Sequence, residues 1–453
     1  MASRVSSASI FPRAVRPAPA PLGLYFRPGR NDHSQLLNLI AAGDAACFGA
    51  VLEAKYVGKH TQKPRAEPGL PGICRDWGLG RHGELKEVLL QKRLDAILDP
   101  QTQQLAFLGS YSDALASLPW AHRDRPHRVA DFQGQGGRDI IASLTDFVLE
   151  ENFTQVIAPT HVIESADDHW LRVDTCSTRL LRNRLDQAGG SAVPIVYSLA
   201  LPYSVFRDPV QRQHVRSQLK DLPISALWLK VDRFGTTSSP TAVRSYIEAA
   251  AEFHELGVPI IADHTGGVTG LSLLAFGAAG GLVHGLTLGE RFNSYTWRKA
   301  SADKGFTPAT RVYLAALDLH LSKREAEALF SVSARAKGLF GCADTNCCPR
   351  GTKDQVENPA RHFLYQRIAE VGALSPIPQE MRPERFLDTT LRPMTDRALA
   401  AATINWEDDK MAKKTQKNRK RLDALRVTLG DLAEHHNSQS FSVLPRTRAA
   451  RER

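Results

Sequence analysis

Three cysteines, Cys342, Cys347 and Cys348, fall within seven positions of the segment "GCADTNCCPRG", and His362 follows a short way downstream. Thiolate sulfur is a soft ligand suited to Zn²⁺, and a structural zinc site closes with four ligands of the Cys₃His or Cys₄ type. These four residues complete such a set. With no coordination position left for water or substrate, the metal would be structural. The adjacent cysteines are the unusual feature, because the common spacing is C-x₂₋₄-C and neighbouring side chains tend to point apart. Spacing alone leaves three alternatives open: a site using one of the pair with another ligand, a disulfide, and an unligated apolar turn.

A second chemical inventory lies where short apolar runs end. Arg27 closes "LGLYFR", Glu53 and Lys55 lie in "ACFGAVLEAK", and Asp99 follows "AIL"; His161 follows "IAPT" and Tyr203 follows "SLALP". Lys230, Asp232 and Arg233 lie in "SALWLKVDRF", Asp263 and His264 follow "PIIA", and His284 sits in "GLVHG". Asp99, Asp263, Asp232 and His264 are the candidates for acid, base and nucleophile. Arg27, His161, Tyr203, Arg233 and His284 are candidates for holding a substrate. Gly266 and Gly267 open a helix in "TGGVTG", where backbone N–H groups could meet an anion such as phosphate. Lys230 stands between Leu229 and Val231, so burial could lower its pKa and make it a Schiff-base amine. Each has a plainer reading: Asp99 as a helix N-cap, the Gly-rich stretch as a tight turn, His284 as a core histidine, Lys230 as an ion-pair partner. No His-x-His closes the first run, no His-Glu-x-x-His occurs, and "GQGG" at 134–137 does not continue a strand. Binuclear metal hydrolysis and nicotinamide chemistry are therefore disfavoured.

The runs themselves predict what positions these residues. Eight of them, at 22–27, 46–55, 94–100, 154–163, 193–202, 225–234, 258–267 and 281–285, alternate with segments of helical period. Most are apolar on both faces, as in parallel strands covered on both sides. A (β/α)8 barrel over 21–300 accounts for eight such strands better than an open doubly wound sheet, and it places strand-end residues around one mouth. Residues 301–400 read as a connector with a helical zinc-binding subdomain, in which Ser322 and Glu325 have capping-box spacing. Residues 401–436 read as a basic amphipathic helix. The Arg, Ser and Pro-rich arm 1–20 and the tail 437–453 read as disordered.

Composition narrows the class. The chain has 453 residues, 42% apolar and 23% charged, with no apolar run of the roughly 20 residues a membrane span needs. A soluble cytoplasmic protein is expected, and three scattered cysteines with one tight cluster suit a reducing compartment. The net charge of +10 is concentrated at the ends: five arginines precede the first acid, Asp32, and residues 410–421 hold seven basic residues and no acid. Lys410, Lys413, Lys414, Lys417, Arg419, Lys420 and Arg421 are thus candidates for contacting a nucleic-acid backbone, with a solvated face as the alternative. The sequence fixes no oligomeric state; a homodimer is compatible with it.

A barrel followed by a Cys₃His cluster and C-terminal helices resembles the tRNA-guanine transglycosylase family, with its relatives that insert 7-deazaguanines into DNA. The segments "CADTNCC" and "RHFLYQR" stand in the order of that family's C-x-C-x₂-C cluster and distal histidine. "GGLVHGLTLGE" at 280–290 is similar to its Gly-Gly-Leu-x-x-Gly-Glu loop. The family's Asp-Ser-Gly-Gly-Phe-Gln segment and its Pro-Thr-Arg segment have no counterpart. The resemblance implies a pentosyltransferase that exchanges a base on tRNA or DNA, with a structural zinc. Such chemistry needs one carboxylate at the sugar carbon and a second acid/base group for the departing base. Asp99 and Asp263 would serve, with Asp232 in reserve. The competing expectations are a barrel lyase or aldolase acting on a small anionic substrate through Lys230, and a nucleic-acid-binding protein without catalysis.

Overall fold

The computed structural model describes residues 21–29, 32–43, 46–57, 79–287, 289–298, 311–435 and 442–452. The arm 1–20 lies outside them. Eight parallel strands close on themselves: β1 (Gly23–Arg27), β2 (Gly49–Glu53), β3 (Asp95–Asp99), β4 (Gln155–Ile157), β5 (Ile195–Pro202), β6 (Ala226–Asp232), β7 (Ile260–Asp263) and β8 (Gly281–Gly285). Closure is direct, with Gly23 to Arg27 of β1 in register with Gly281 to Gly285 of β8. Each strand falls inside one of the eight apolar runs, so the (β/α)8 barrel is the observed architecture.

Parity along each strand decides what faces the axis. On β6, Leu227, Leu229 and Val231 belong to the core beneath the helices, whereas Ala226 and Trp228 belong to the barrel interior with Tyr25, Val51, Ile97 and Ile261. Side chains two residues apart share a face. Arg27, Glu53, Asp99, Lys230 and Asp263 therefore stand above that apolar plug, at the carboxyl ends.

The helices that cover the strands obey local rules. Ser239 caps Pro240–Ala251 by accepting from the Ala242 N–H at 3.2 Å, with Pro240 in the first turn and Gly257 ending the following 3-10 turn at φ 70°. The eighth covering helix comes from far downstream. Pro359–Leu374 packs between His33–Ala41 and Gly267–Ala275, and its Phe363 lies 5.7 Å from the His284 ring on β8. The boundary expected near residue 300 is thus not structural, because the segment carrying the Cys/His cluster completes the barrel wall. Before it come an antiparallel pair, β9 (Val312–Leu314) and β10 (Leu319–Leu321), and the helix Lys323–Ser331 with the expected Ser322/Glu325 capping box.

The basic helix runs from Asp409 to His435 and packs on Pro240–Ala251 and Arg392–Ala402. The tail is ordered over 442–452, contrary to expectation. Pro445 sits against Gly23 and Gly280 beneath the barrel, and Arg451 pairs with the buried Asp95 at the foot of β3. A buried carboxylate needs a partner, and the tail supplies it. No helix among the described residues is long and apolar enough to cross a membrane.

Candidate active site at the barrel mouth and the cysteine cluster

Arg27 is the hub of the mouth. Its guanidinium pairs with Asp99 and donates to Asp263 Oδ2 at 3.0 Å, so two carboxylates from β3 and β7 share one cation from β1. Lys230 Nζ lies 3.5 Å from Asp263 Oδ2 and donates to Gln103 Oε1 at 3.0 Å. Gln103 is fixed in turn, donating to Ser198 O at 3.0 Å and Thr160 Oγ1 at 3.1 Å. His264 Nδ1 lies 2.9 Å from Asp263 Oδ1, and Lys55 pairs with Glu53 at 2.8 Å.

Burial and charge set opposing pKa trends. Burial pushes the Asp263 carboxyl up, but Arg27, His264 and Lys230 outweigh it and hold it well below the usual range. Asp99 is likewise lowered, with burial overcome by Arg27 and Lys230. Both carboxyls are thus held in the charged form, which suits a base or nucleophile better than a proton donor. Lys230 behaves differently. Burial lowers its amine most, Arg27 adds to this, and Asp263 and Asp99 only partly compensate, so the pKa falls below the ordinary lysine value. His264 is lowered by burial despite Asp263 and is neutral at pH 7.

Backbone strain marks the same end of the barrel. Gln101, Arg233, His264 and Thr287 follow β3, β6, β7 and β8 within two residues, all with φ between 58° and 60°. Each such non-glycine residue costs about 1–2 kcal/mol, and strain of this kind gathers at working sites. The corresponding residues at the other end, Arg93, Asn152 and Asp221, follow helices, where a left-handed residue is an ordinary terminator.

Of the residues expected at the mouth, Arg27, Asp99, Asp263 and His264 converge. Asp232 stands one pleat above Lys230, accepting from Ser294 N at 2.6 Å, and with Arg233 and Tyr203 it lines an adjoining cleft of about 690 Å³. His161 is elsewhere. It is fully buried behind β4, with Nδ1 2.7 Å from Asp174 and its ring stacked on Trp170 at 3.6 Å. His284 points outward into the helical layer against Phe26 and Phe363. Gly266 and Gly267 do not cradle an anion: Glu290 abuts the first, Asp318 the second, and the Val268 N–H already donates to Asp318 Oδ1 at 3.0 Å. The helix start is occupied by the protein's own carboxylates. Gln103 was missed, because it lies on a short helix after β3 that folds back over the mouth, and amides after a turn carry no spacing signal.

The cluster assembles as the four ligands suggest. Cys342, Cys347, Cys348 and His362 place their ligand atoms within 4.8 Å of one another and could hold a metal ion. His362 Nδ1 is 3.3 Å from Cys347 Sγ and 3.4 Å from Cys348 Sγ, and the two sulfurs are 3.6 Å apart, too far for a disulfide. Both adjacent cysteines reach one centre because the chain turns there: Asp344 Oδ1 accepts from the Asn346 and Cys347 N–H groups, and Asp344 O from Cys348 N–H at 2.7 Å. His362 Nε2 donates to Tyr313 O at 3.0 Å, which directs Nδ1 to the sulfurs. From this helix Arg367 reaches Glu290 at 2.7 Å, in the loop after β8.

The basic run divides by direction. Lys414 pairs with Glu325 at 2.9 Å, Arg419 lies 3.5 Å from Asp423, and Arg421 pairs with the buried Asp318 at 2.8 Å. Lys414 and Arg421 thus hold the helix to the body rather than facing a partner. Lys410, Lys413, Lys417 and Lys420 are exposed and have no ion pair among the described residues.

No family model matches the sequence, and no curated protein does. Among solved structures, an endo-1,4-beta-xylanase (XylE) of Penicillium canescens is 8% identical over 57% of this chain and 81% of its own, with a TM-score of 0.34. A GH26 beta-mannanase of Bacteroides ovatus is 12% identical over 63% and 85%, TM-score 0.34. A type I 3-dehydroquinate dehydratase of Clostridium difficile is 10% identical over 62% and 90%, TM-score 0.31. Likenesses this weak say nothing of this chain's chemistry.

Proposed function

We propose that the protein is a barrel enzyme whose Lys230 attacks the carbonyl carbon of a small hydroxylated substrate and forms a Schiff base. The observation that carries this is a buried amine at the carboxyl end of β6, 4% exposed, aimed into the mouth and held by a neutral amide and an already shared carboxylate. Neutral amine is the reactive form, and burial favours it. The Nζ lone pair attacks carbon and the C=O π pair moves to oxygen. His264, neutral and next to Asp263, is suited to carry a proton from the nitrogen to the alkoxide, giving the carbinolamine, and then to relay a second proton from solvent to its hydroxyl, so that water leaves and the iminium remains. That iminium draws electrons from the bond at the neighbouring carbon, as in aldol cleavage or dehydration. Base exchange by Asp99 and Asp263 has less support, because both carboxyls are held in the charged form and only His264 would remain to protonate the departing base.

The test is cyanoborohydride reduction at pH 7 with dihydroxyacetone, followed by peptide mapping. Lys230 should be modified ahead of exposed lysines, and the adduct should vanish in Lys230→Met. Uniform labelling of surface lysines with Lys230 spared would sink the reading.

For the Cys/His cluster we infer zinc in a structural role. Bonds of about 2.3 Å to sulfur and about 2.0 Å to nitrogen set tetrahedral edges of roughly 3.8 and 3.5 Å. The observed separations of 3.6, 3.3 and 3.4 Å match them closely. Four protein ligands leave no open position, so the ion would fasten the barrel's eighth helix and take no part in turnover.

A second reading, docking of nucleic acid, draws support from one observation. Lys410, Lys413, Lys417 and Lys420 recur at steps of three, four and three, forming one exposed stripe along the Asp409–His435 helix. Binding to a 20-nucleotide RNA should then weaken with salt and lose most of its slope when all four become Gln. Absence of binding at low salt would refute it.

A further inference from the structure

The cleft beside the mouth has a composition the mouth lacks. Its rim carries Arg233, Arg291 and Arg298 against two acids, Glu164 and Asp232. Glu164 is taken by Arg298. Asp232 accepts from Ser294 N and lies 3.8 Å from Arg233. Arg291 has no carboxylate within ion-pair distance among the described residues; it donates to Thr237 Oγ1 at 3.4 Å. The cleft therefore carries an uncompensated cation, and Ser204, Thr237 and Ser294 bring hydroxyl groups to the same space.

The rim is built rather than incidental. Gly235 and Arg291 form an antiparallel bridge, Arg233 N donates to Phe292 O at 2.9 Å, and Thr236 N donates to Glu290 O at 3.0 Å. These bonds zip the loop after β6 to the loop after β8. Arg233 takes up its strained φ of 60° at that junction, which fixes where both arginine side chains leave the backbone.

Register then relates cleft and nucleophile. Ala200 of β5 is opposite Lys230 of β6, and the next inward pair, Pro202 and Asp232, lines the cleft. One pleat is roughly 7 Å along a strand. Asp232, on the cleft wall, thus stands one such step above Lys230 on the same face of β6.

We propose that this cleft binds the phosphate of a short phosphorylated hydroxycarbonyl compound, an open-chain sugar phosphate, whose carbonyl reaches Lys230. Arg233 and Arg291 supply the charge, and a planar guanidinium suits the paired oxygens of a phosphate. The identity of the carbonyl end rests on the Lys230 reading; the anion site rests on the cleft alone.

Two measurements keep these separable. Calorimetry with glycerol 3-phosphate should show saturable binding to the full-length protein, none with glycerol, and at least tenfold weaker binding in Arg233→Ser/Arg291→Ser. An unchanged melting temperature would show that the double variant is folded. Arg207→Ser, outside the cleft, should bind as wild type. Reductive trapping by dihydroxyacetone phosphate should exceed that by dihydroxyacetone at least tenfold, and the double variant should erase this difference. No saturable phosphate binding, or binding indifferent to both arginines, overturns the proposal. Phosphate binding without trapping leaves the anion site standing and overturns its link to Lys230.

Discussion

Replacing Arg27 by methionine separates the charges at the mouth most cleanly. Arg27 is 8% exposed, Asp99 13% and Asp263 0% by side chain, so the variant leaves two buried carboxylates with one cation fewer between them. Asp263 keeps His264 at 2.9 Å and Lys230 at 3.5 Å, while Asp99 keeps the Gln101 N–H at 2.8 Å. Removing one partner of a buried ion pair costs about 3–5 kcal/mol, and that is the loss expected at pH 7 in the first urea transition followed by circular dichroism. The pH dependence has a definite sign. In the wild type both carboxyls lie below their unfolded value of about 3.9, so their stabilisation is complete above that value and is lost only as pH falls through the lower folded pKa. Without Arg27, burial dominates and raises the Asp99 carboxyl. The folded state then binds more protons than the unfolded one above pH 4, and the deficit shrinks from pH 7 to pH 5. Arg27→Met/Asp99→Asn should recover at least about 1 kcal/mol of the loss, because an amide tolerates burial better than an unpaired charge. A loss below about 1 kcal/mol, or one that does not shrink at pH 5, would refute the account of Arg27 as hub.

Metal analysis of the purified protein should find one equivalent of zinc, lost in Cys347→Ser and in Cys348→Ser with a lower melting temperature; a metal content unaffected by either substitution would remove the site. Arg451→Met should destabilise by about 1–3 kcal/mol by orphaning Asp95, and Arg451→Met/Asp95→Asn should regain part of it; equal stability of both variants and wild type would show that the tail only rests on the barrel floor. Lys410, Lys413, Lys417 and Lys420 changed together to Gln should leave stability unchanged within about 0.5 kcal/mol, whereas Arg421→Gln should lower it measurably by exposing Asp318 to burial without a partner.

The local half of this structure was legible in residue types. Apolar runs bounded by turns marked all eight strands, Ser239-Pro240 and Ser322 with Glu325 marked helix starts, and three cysteines with a histidine marked the cluster. The carboxyl ends of the strands gave Arg27, Asp99, Asp263, His264 and Lys230. What they withheld was direction. A strand apolar on both faces has no alternation to reveal its inner side, so His284 read like Lys230 although one faces the helices and the other the axis. His161 was misplaced for a similar reason: β4 ends at Ile157, and the chain beyond it turns its imidazole into the wall.

Sequence by itself determined the element types, the make-up of the Cys/His cluster and the surplus of positive charge at the ends, because these follow from local patterns and side-chain chemistry. Only the tertiary structure decided which charges meet. It brought Arg27 to Asp99 and Asp263, gave the cradle at Gly266 and Gly267 to Glu290 and Asp318, turned Lys414 and Arg421 inward, and set a helix from residue 359 onward against β8. Such pairings join residues tens to hundreds of positions apart, and a buried charge takes its partner from whatever the fold places beside it, not from its neighbours in the chain.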